Sequence, residues 1–432
     1  MKKNNLFVLL FLFAISANSQ ESFFPLSYNQ IRGASGIKVI NNFSNGDLAL
    51  IGENTPSGSK KKSLFIIRTD VSGNVIWRKE FFSDRILAVN DFLIDMHDNI
   101  IIAAEQYEEG NRESLFLLGL DAYGKQLFSS HFNEVNGEVE AYDILLDRDG
   151  GFLITGFCKL PTIISDVFFR VVKEDQYLYL LKVNTVGEKV WSKYIEEDYF
   201  SSTGRKLIID KGLRLNIFAN NHKDNNENSI KLFSSIDNII YDEYHLISSK
   251  RSILTDVYFD GENFYLTGIV INDKNKETDY YDMFLIKINA SYELQYNKII
   301  SSKHNDKSTR ILLDKGKIFL FGKIYNKDNK ELYSLCLDQQ GSFISFASYN
   351  NEYKDISFTD VLMTNKGVLA VGSKWEKKRT GILFNTMHLV DSKSQFNVID
   401  GDFKLKKLGQ GQFINLSKEE TIAPVNIKEW KY

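Results

Sequence analysis

Seven Asp or Asn residues recur along the chain at nearly constant spacing: Asp70, Asp121, Asn184, Asp237, Asn289, Asp338 and Asp391. The gaps are 51, 63, 53, 52, 49 and 53 residues, and each position follows an apolar run. Four are followed three residues later by glycine (Gly73, Gly124, Gly187, Gly341). A period of about 50 residues made of short apolar runs and turns is the pattern of a β-propeller, one blade per repeat.

The clearest unit runs from Leu254 to Ile299. Asp256 to Asp260 reads as a short strand and Gly261-Glu262-Asn263 as a turn. Phe264 to Ile269 is a second strand carrying Gly268, and Met283 to Ile288 is a third. Asn289 opens another tight turn before a fourth strand, Leu294 to Ile299. The expected fold is therefore all-β: a single propeller of seven four-stranded blades. Third strands such as Leu64 to Ile67 and Leu115 to Leu118 are continuously apolar, as strands covered on both faces must be. Second strands are expected to end near Gly52, Ala104, Gly156, Ala219, Gly268, Gly322 and Gly372, where a small residue admits a neighbouring backbone or ring.

The periodic Asp/Asn has two readings. Its side chain can accept from a backbone N–H two residues on, with the glycine at +3 taking the left-handed position that closes the turn. Calcium, the alternative, needs six to eight oxygens, and one Asx per turn does not supply them. The turn reading is the stronger.

Fourth strands place an aromatic seven residues after the Asx, at Trp77, Phe128, Trp191, Tyr244 and Tyr296. The phrases Asp70-Val-Ser-Gly-Asn-Val-Ile-Trp77 and Asn184-Thr-Val-Gly-Glu-Lys-Val-Trp191 resemble the Asp-x-x-Gly-x-x-x-Trp repeat of secreted propellers common in Bacteroidota. Asp149-Gly150-Gly151-Phe152-Leu153-Ile154-Thr155-Gly156 resembles the other half of that repeat. The match spans residues 35 to 400 and is weak in repeats four and seven. The resemblance implies the fold and export; most such proteins have no assigned activity. Many carry a C-terminal sorting domain, and none is recognisable here. A related pattern occurs in quinoprotein dehydrogenases, but those have eight blades, adjacent cysteines and a calcium-binding carboxylate set that this chain lacks.

Residues 1–19 read as a signal peptide. Lys2 and Lys3 precede the apolar stretch Leu6 to Ile15, and Ala17-Asn18-Ser19 supplies small residues before cleavage at Gln20. Residues 20–400 form the propeller and 401–432 a C-terminal extension expected to pack on one face. The formal net charge of −3 comes with dispersed basic residues, which argues against nucleic acid and anionic membranes. Cys158 and Cys336, three repeats apart, read as small core residues beyond bridging distance. Two segments compete to complete the last blade, Phe23 to Ile31 and Gln395 to Ile399.

No nucleophile, P-loop or zinc-protease motif is present, and the six histidines (His97, His131, His222, His245, His304, His388) lack metal spacing. Catalytic residues, cofactors and metals are therefore expected to be absent. Two features stand out. Asp91, Asp143, Asp256 and Asp360, with Arg310 in the equivalent place, head the innermost strands and would ring one channel mouth. There they would attract a cation or bond backbone N–H groups. In repeat three, Pro161 to Val172 is an apolar insertion where other repeats have polar loops. It extends the blade as a hairpin or presents Ile163, Ile164, Val167, Phe168 and Phe169 to a partner.

These readings lead to an exported, non-enzymatic scaffold that binds protein or glycan at the bacterial cell envelope, within a secretion or surface complex. After signal cleavage it would not span a membrane, and it would be periplasmic, at the outer surface or secreted. The alternative is a lyase or hydrolase with its site at the channel mouth.

Overall fold

The computed structural model describes residues 26–28, 34–55, 62–82, 85–107, 114–133, 138–165, 170–195, 200–223, 228–236, 240–272, 280–302, 304–326, 329–349, 356–364, 367–375, 379–385, 397–400, 404–412, 414–415, 420–421 and 426–429. Asp237, Asp391, His388, residues 166–169 and the leader lie outside them. The described residues form strands and turns throughout.

The first strand is β1 (Leu26–Tyr28). The first sheet follows as β2 (Ala34–Asn42), β3 (Leu48–Thr55), β4 (Ser63–Thr69) and β5 (Val75–Phe82). The second is β6 (Ile86–Ile94), β7 (Ile100–Tyr107), β8 (Ser114–Leu120) and β9 (Gln126–Phe132). The third is β10 (Glu138–Leu146), β11 (Phe152–Ser165), β12 (Arg170–Val183) and β13 (Lys189–Ile195). The fourth is β14 (Phe200–Ile209), β15 (Leu215–Lys223), β16 (Asn228–Ile236) and β17 (Ile240–Ile247). The fifth is β18 (Arg251–Phe259), β19 (Asn263–Asn272), β20 (Tyr280–Asn289) and β21 (Leu294–Ser301). The sixth is β22 (Asn305–Asp314), β23 (Lys317–Asn326), β24 (Asn329–Leu337) and β25 (Phe343–Tyr349). Then come β26 (Ile356–Thr364), β27 (Gly367–Trp375) and β28 (Arg379–Asn385). Five short strands end the chain: β29 (Asn397–Asp400), β30 (Lys404–Gln412), β31 (Ile414–Asn415), β32 (Glu420–Thr421) and β33 (Asn426–Glu429).

Six antiparallel blades are thus built wholly from four consecutive strands, in a β-propeller. The last repeat departs from the expected self-contained seventh unit. β26, β27 and β28 take β1 as their fourth strand, with Leu26 opposite Leu383 and Tyr28 opposite Gly381. The N-terminal segment therefore closes the sheet. The competing C-terminal segment does not: β29 pairs instead with β21, Ile399 opposite Ile299. The composite sheet meets the first blade where the Ile40 N–H donates to Asp360 Oδ2 at 3.0 Å.

The C-terminal extension corrects a second expectation, that it packs on one face. It supplies fifth, antiparallel strands to outer edges: β30 on β17, β31 on β13, β32 on β9 and β33 on β5. Together with β29 it forms a strap that runs backwards around the rim, from the fifth blade to the first. β30 ends at Gln412 and β31 begins at Ile414 on the next blade, so the strap follows the rim without doubling back. It removes open sheet edges that would invite association.

Local chemistry accounts for the turns. Asp70 Oδ1 accepts from the Ser72 and Asn74 N–H groups at 2.8 and 2.9 Å, and Asp121, Asn184, Asn289 and Asp338 repeat both bonds. Gly73, Gly124, Gly187 and Gly341 adopt φ between 72° and 86°, the left-handed region closed to most side chains. The fourth-strand aromatic packs on the turn of the following blade. A β-carbon on Gly124 would lie 3.1 Å from Trp77 Cη2, one on Gly341 3.1 Å from Tyr296, and one on Gly187 would strike Phe128. The repeat Asx…Gly…aromatic is therefore an interlock between neighbouring blades. Where the glycine is missing, Tyr292 takes the position at φ 61° and packs on Tyr244, ring centroids 4.5 Å apart and planes tilted by 33°.

Second strands do not end at their small residues. Gly52, Ala104, Gly156, Ala219, Gly268, Gly322 and Gly372 each pair with the residue just before a bulge in the innermost strand. A side chain on Gly156, Gly268 or Gly322 would strike a carbonyl of that strand. Cores form between blades, where third-strand residues such as Leu64, Phe116, Leu181 and Ile286 are wholly buried. Each such side chain contributes roughly 1.5–3 kcal/mol.

Candidate functional site

The bulge in each innermost strand is followed by a residue at the same register position of every sheet. Those positions are Val39, Asp91, Asp143, Lys206, Asp256, Arg310 and Asp360. All five channel candidates read from the sequence are brought together. They sit past the bulge, in the body of their strands, rather than heading them at a mouth. Lys206 is the member that the sequence reading missed.

Each aspartate bonds across a blade boundary. Asp143 Oδ2 accepts from Leu207 N at 2.7 Å, Asp256 Oδ2 from Ile311 N at 3.0 Å and Asp360 Oδ2 from Ile40 N at 3.0 Å. Asp91 Oδ2 makes the same contact to Ile144 N at 3.4 Å. The carboxylates thus bond backbone N–H groups of the next blade, and Asp91 Oδ1 accepts as well from Phe92 N of its own strand at 2.8 Å. Two are also ion-paired: Lys206 Nζ lies 2.6 Å from Asp143, and Arg310 Nε 2.7 Å from Asp360.

The electrostatics are those of a mutually sensing cluster. Burial raises the Asp91 carboxyl well above its usual range, and the neighbouring Asp143 charge raises it further, against the pull of Lys206. Burial also raises Asp256, opposed by Arg310 and Lys206. Burial would lower Lys206, but Asp143, Asp91 and Asp256 together outweigh it and raise the ammonium. Arg310 is likewise held protonated by Asp360, Asp256 and Asp91 against the cost of burial. That Arg310 senses Asp91 across the ring shows how closely the six charged positions converge, while Val39 packs in the hydrophobic core. Among the described residues no group of three or more His, Cys, Asp or Glu is placed to hold a metal ion.

The insertion of repeat three is a hairpin. β11 and β12 stay in register beyond the blade, with Pro161 opposite Glu174, Ile163 opposite Val172 and Ile164 opposite Val171. Val167, Phe168 and Phe169 lie outside the described residues.

Several exposed apolar side chains gather elsewhere. Ile76, Leu127 and Val190 occupy one position of β5, β9 and β13, six residues after the Asx, and are about half exposed. Tyr123 and Val186 stand at the tips of the adjoining turns, 77% and 56% exposed. Turns between first and second strands and between third and fourth strands emerge at the same end of an antiparallel blade. These five residues therefore form one arc on the tight-turn side of three successive blades.

No family model matches the chain, and no curated protein matches it. Solved structures of similar shape include an ACO/RPE65 chimera, 9% identical, covering 74% of this chain and 91% of that one at a TM-score of 0.38. The WD40 domain of SCAP from fission yeast is 9% identical and covers 90% of this chain and 94% of its own at a TM-score of 0.38. A bifunctional GH43-CE protein of Bacteroides eggerthii is 8% identical and covers 95% and 64%, with a TM-score of 0.28.

Proposed function

We propose that this chain is an exported, non-enzymatic scaffold whose ring counts seven blades, the composite sheet included, and which binds a protein partner at the bacterial cell envelope. The observation that carries the reading is the arc of Ile76, Tyr123, Leu127, Val186 and Val190. Exposed apolar residues at one position of consecutive blades offer an array of apolar contacts that a protein, rather than a glycan, would cover. The basic and apolar leader supports export, and the Asx…Gly…Trp repeats support kinship with the secreted propellers of Bacteroidota. Support for binding over catalysis comes from the channel, whose charged groups are committed to one another and to neighbouring backbones.

The test is affinity capture from native envelope with the wild-type chain, an Ile76→Asp/Leu127→Asp/Val190→Asp variant and a Pro161–Val172 deletion. A partner retained by the wild type and lost by the triple variant, with unchanged melting, is the expected result. Equal capture by all three chains overturns the reading, as would glycan binding that survives the substitutions.

A further inference from the structure

The strap grips the fourth blade longest, with β30 paired along β17 from Ile240–Gln412 to Ile247–Lys404. Beneath that grip lies His245. Its Nε2 bonds Ser229 Oγ at 2.6 Å, and its register partners are Lys231 on β16 and Lys406 on β30. Paired residues of antiparallel strands project from the same face, so Lys231, His245 and Lys406 form a row across three strands. The acids nearby are engaged: Glu243 lies 2.7 Å from Lys231, and Asp242 lies 2.8 Å from Lys407.

We propose that the strap is an acid-sensitive clasp, released from the fourth blade when His245 takes up a proton. Neutral His245 tolerates a lysine on either side; an imidazolium there places three positive charges in one cross-strand row. Like charges directly opposite each other destabilise a strand pair. The imidazole is already disposed to stay neutral, since burial lowers its affinity for a proton and the Lys231 charge lowers it further, with Glu243 opposing and Lys406 adding to the effect. The more it resists protonation while the strap is bound, the more the proton favours the released state. Release bares the outer edge of β17, which can then accept a strand from another chain.

Hydrogen exchange of the full-length protein tests this, following residues 404–412 at pH 7.5 and 5.5 with times corrected for intrinsic rates. In the wild type, protection of that segment relative to β15 should fall roughly fivefold at the lower pH. His245→Gln, which can keep the Ser229 bond but cannot ionise, should show no fall. Lys406→Gln, at an exposed site, should show a smaller one and serves if the histidine variant does not fold. Equal wild-type protection at both pH values overturns the proposal, as does a fall of undiminished size in either variant.

Discussion

The centre and the rim of this ring hold blades together by different chemistry, and they answer to protons in opposite directions. At the centre, Asp91, Asp143, Asp256 and Asp360 reach across blade boundaries, and burial raises Asp91 and Asp256 so that the fold favours their protonated forms. At the rim, the strap lies over His245, which burial lowers so that the fold favours the neutral form. A buried carboxyl among carboxyls gains by keeping a proton; a buried imidazole between lysines gains by refusing one. The centre is short-range and charged, whereas the rim is an extended backbone ladder.

Deleting residues 397–432 should produce the largest effect, because it opens the outer edges of five blades at once. Loss of this ladder should cost on the order of 5 kcal/mol and promote aggregation, read as a lower melting temperature and a lower aggregation onset. A full-length and a deleted chain that melt alike would mean the strap contributes nothing to the ring. At the centre, Asp143→Ala is the sharpest single change. Its carboxylate is buried, accepts from Leu207 N and pairs with Lys206, so removal leaves that N–H without its acceptor and the ammonium with only Asp91 and Asp256 nearby. The expected cost is about 1–3 kcal/mol in urea unfolding. A cost below about 1 kcal/mol would place Lys206 effectively in water.

Between centre and rim stands the turn interlock, which one pair of substitutions isolates. Gly187→Ala must hold φ 82° and displace Phe128, whereas Gly46→Ala holds φ 88° with nothing within 4 Å. The first should cost about 1–3 kcal/mol and the second about 1 kcal/mol. Equal costs would show that the aromatic does not depend on the glycine.

What the sequence reveals follows the same division. Asx, glycine and aromatic act within one turn or between adjacent repeats, so their chemistry is written locally and recurs. The channel aspartates were legible for that reason. Lys206 was not, although it stands two residues after Gly204 at the same bulge, because the fourth repeat lacks the glycine after Asp237 and carries a lysine where four siblings carry aspartate. The strap left no such mark. Its strands are as short as Ile414–Asn415, contain no turn signature and pair with residues up to hundreds of positions away. Only the backbone register shows which residues pair, as where Val398 lies opposite Ile300 and Lys428 opposite Glu80. The choice between the two closing segments was equally hidden, since both are short and apolar and both do become edge strands, on different blades.

The smallest predicted effect separates centre from rim by its sign. An unfolded aspartate loses its proton near pH 3.9, while folded Asp91 keeps its proton to higher pH because of burial and the Asp143 charge. Its contribution to stability is fully present below the unfolded value and is lost as pH rises through the folded one. Asn cannot titrate, so in Asp91→Asn that slope disappears while the side-chain oxygen still accepts from Ile144 N. Urea midpoints at pH 4.5, 6.0 and 7.5 should therefore show the variant gaining on the wild type as pH increases. His245→Gln should show the reverse, because a depressed imidazole stabilises the fold above its unfolded value and loses that contribution as pH falls through the folded one. If Asp91→Asn tracks the wild type at every pH, the extra proton of the ring resides on another carboxyl, Asp256 being the next to substitute.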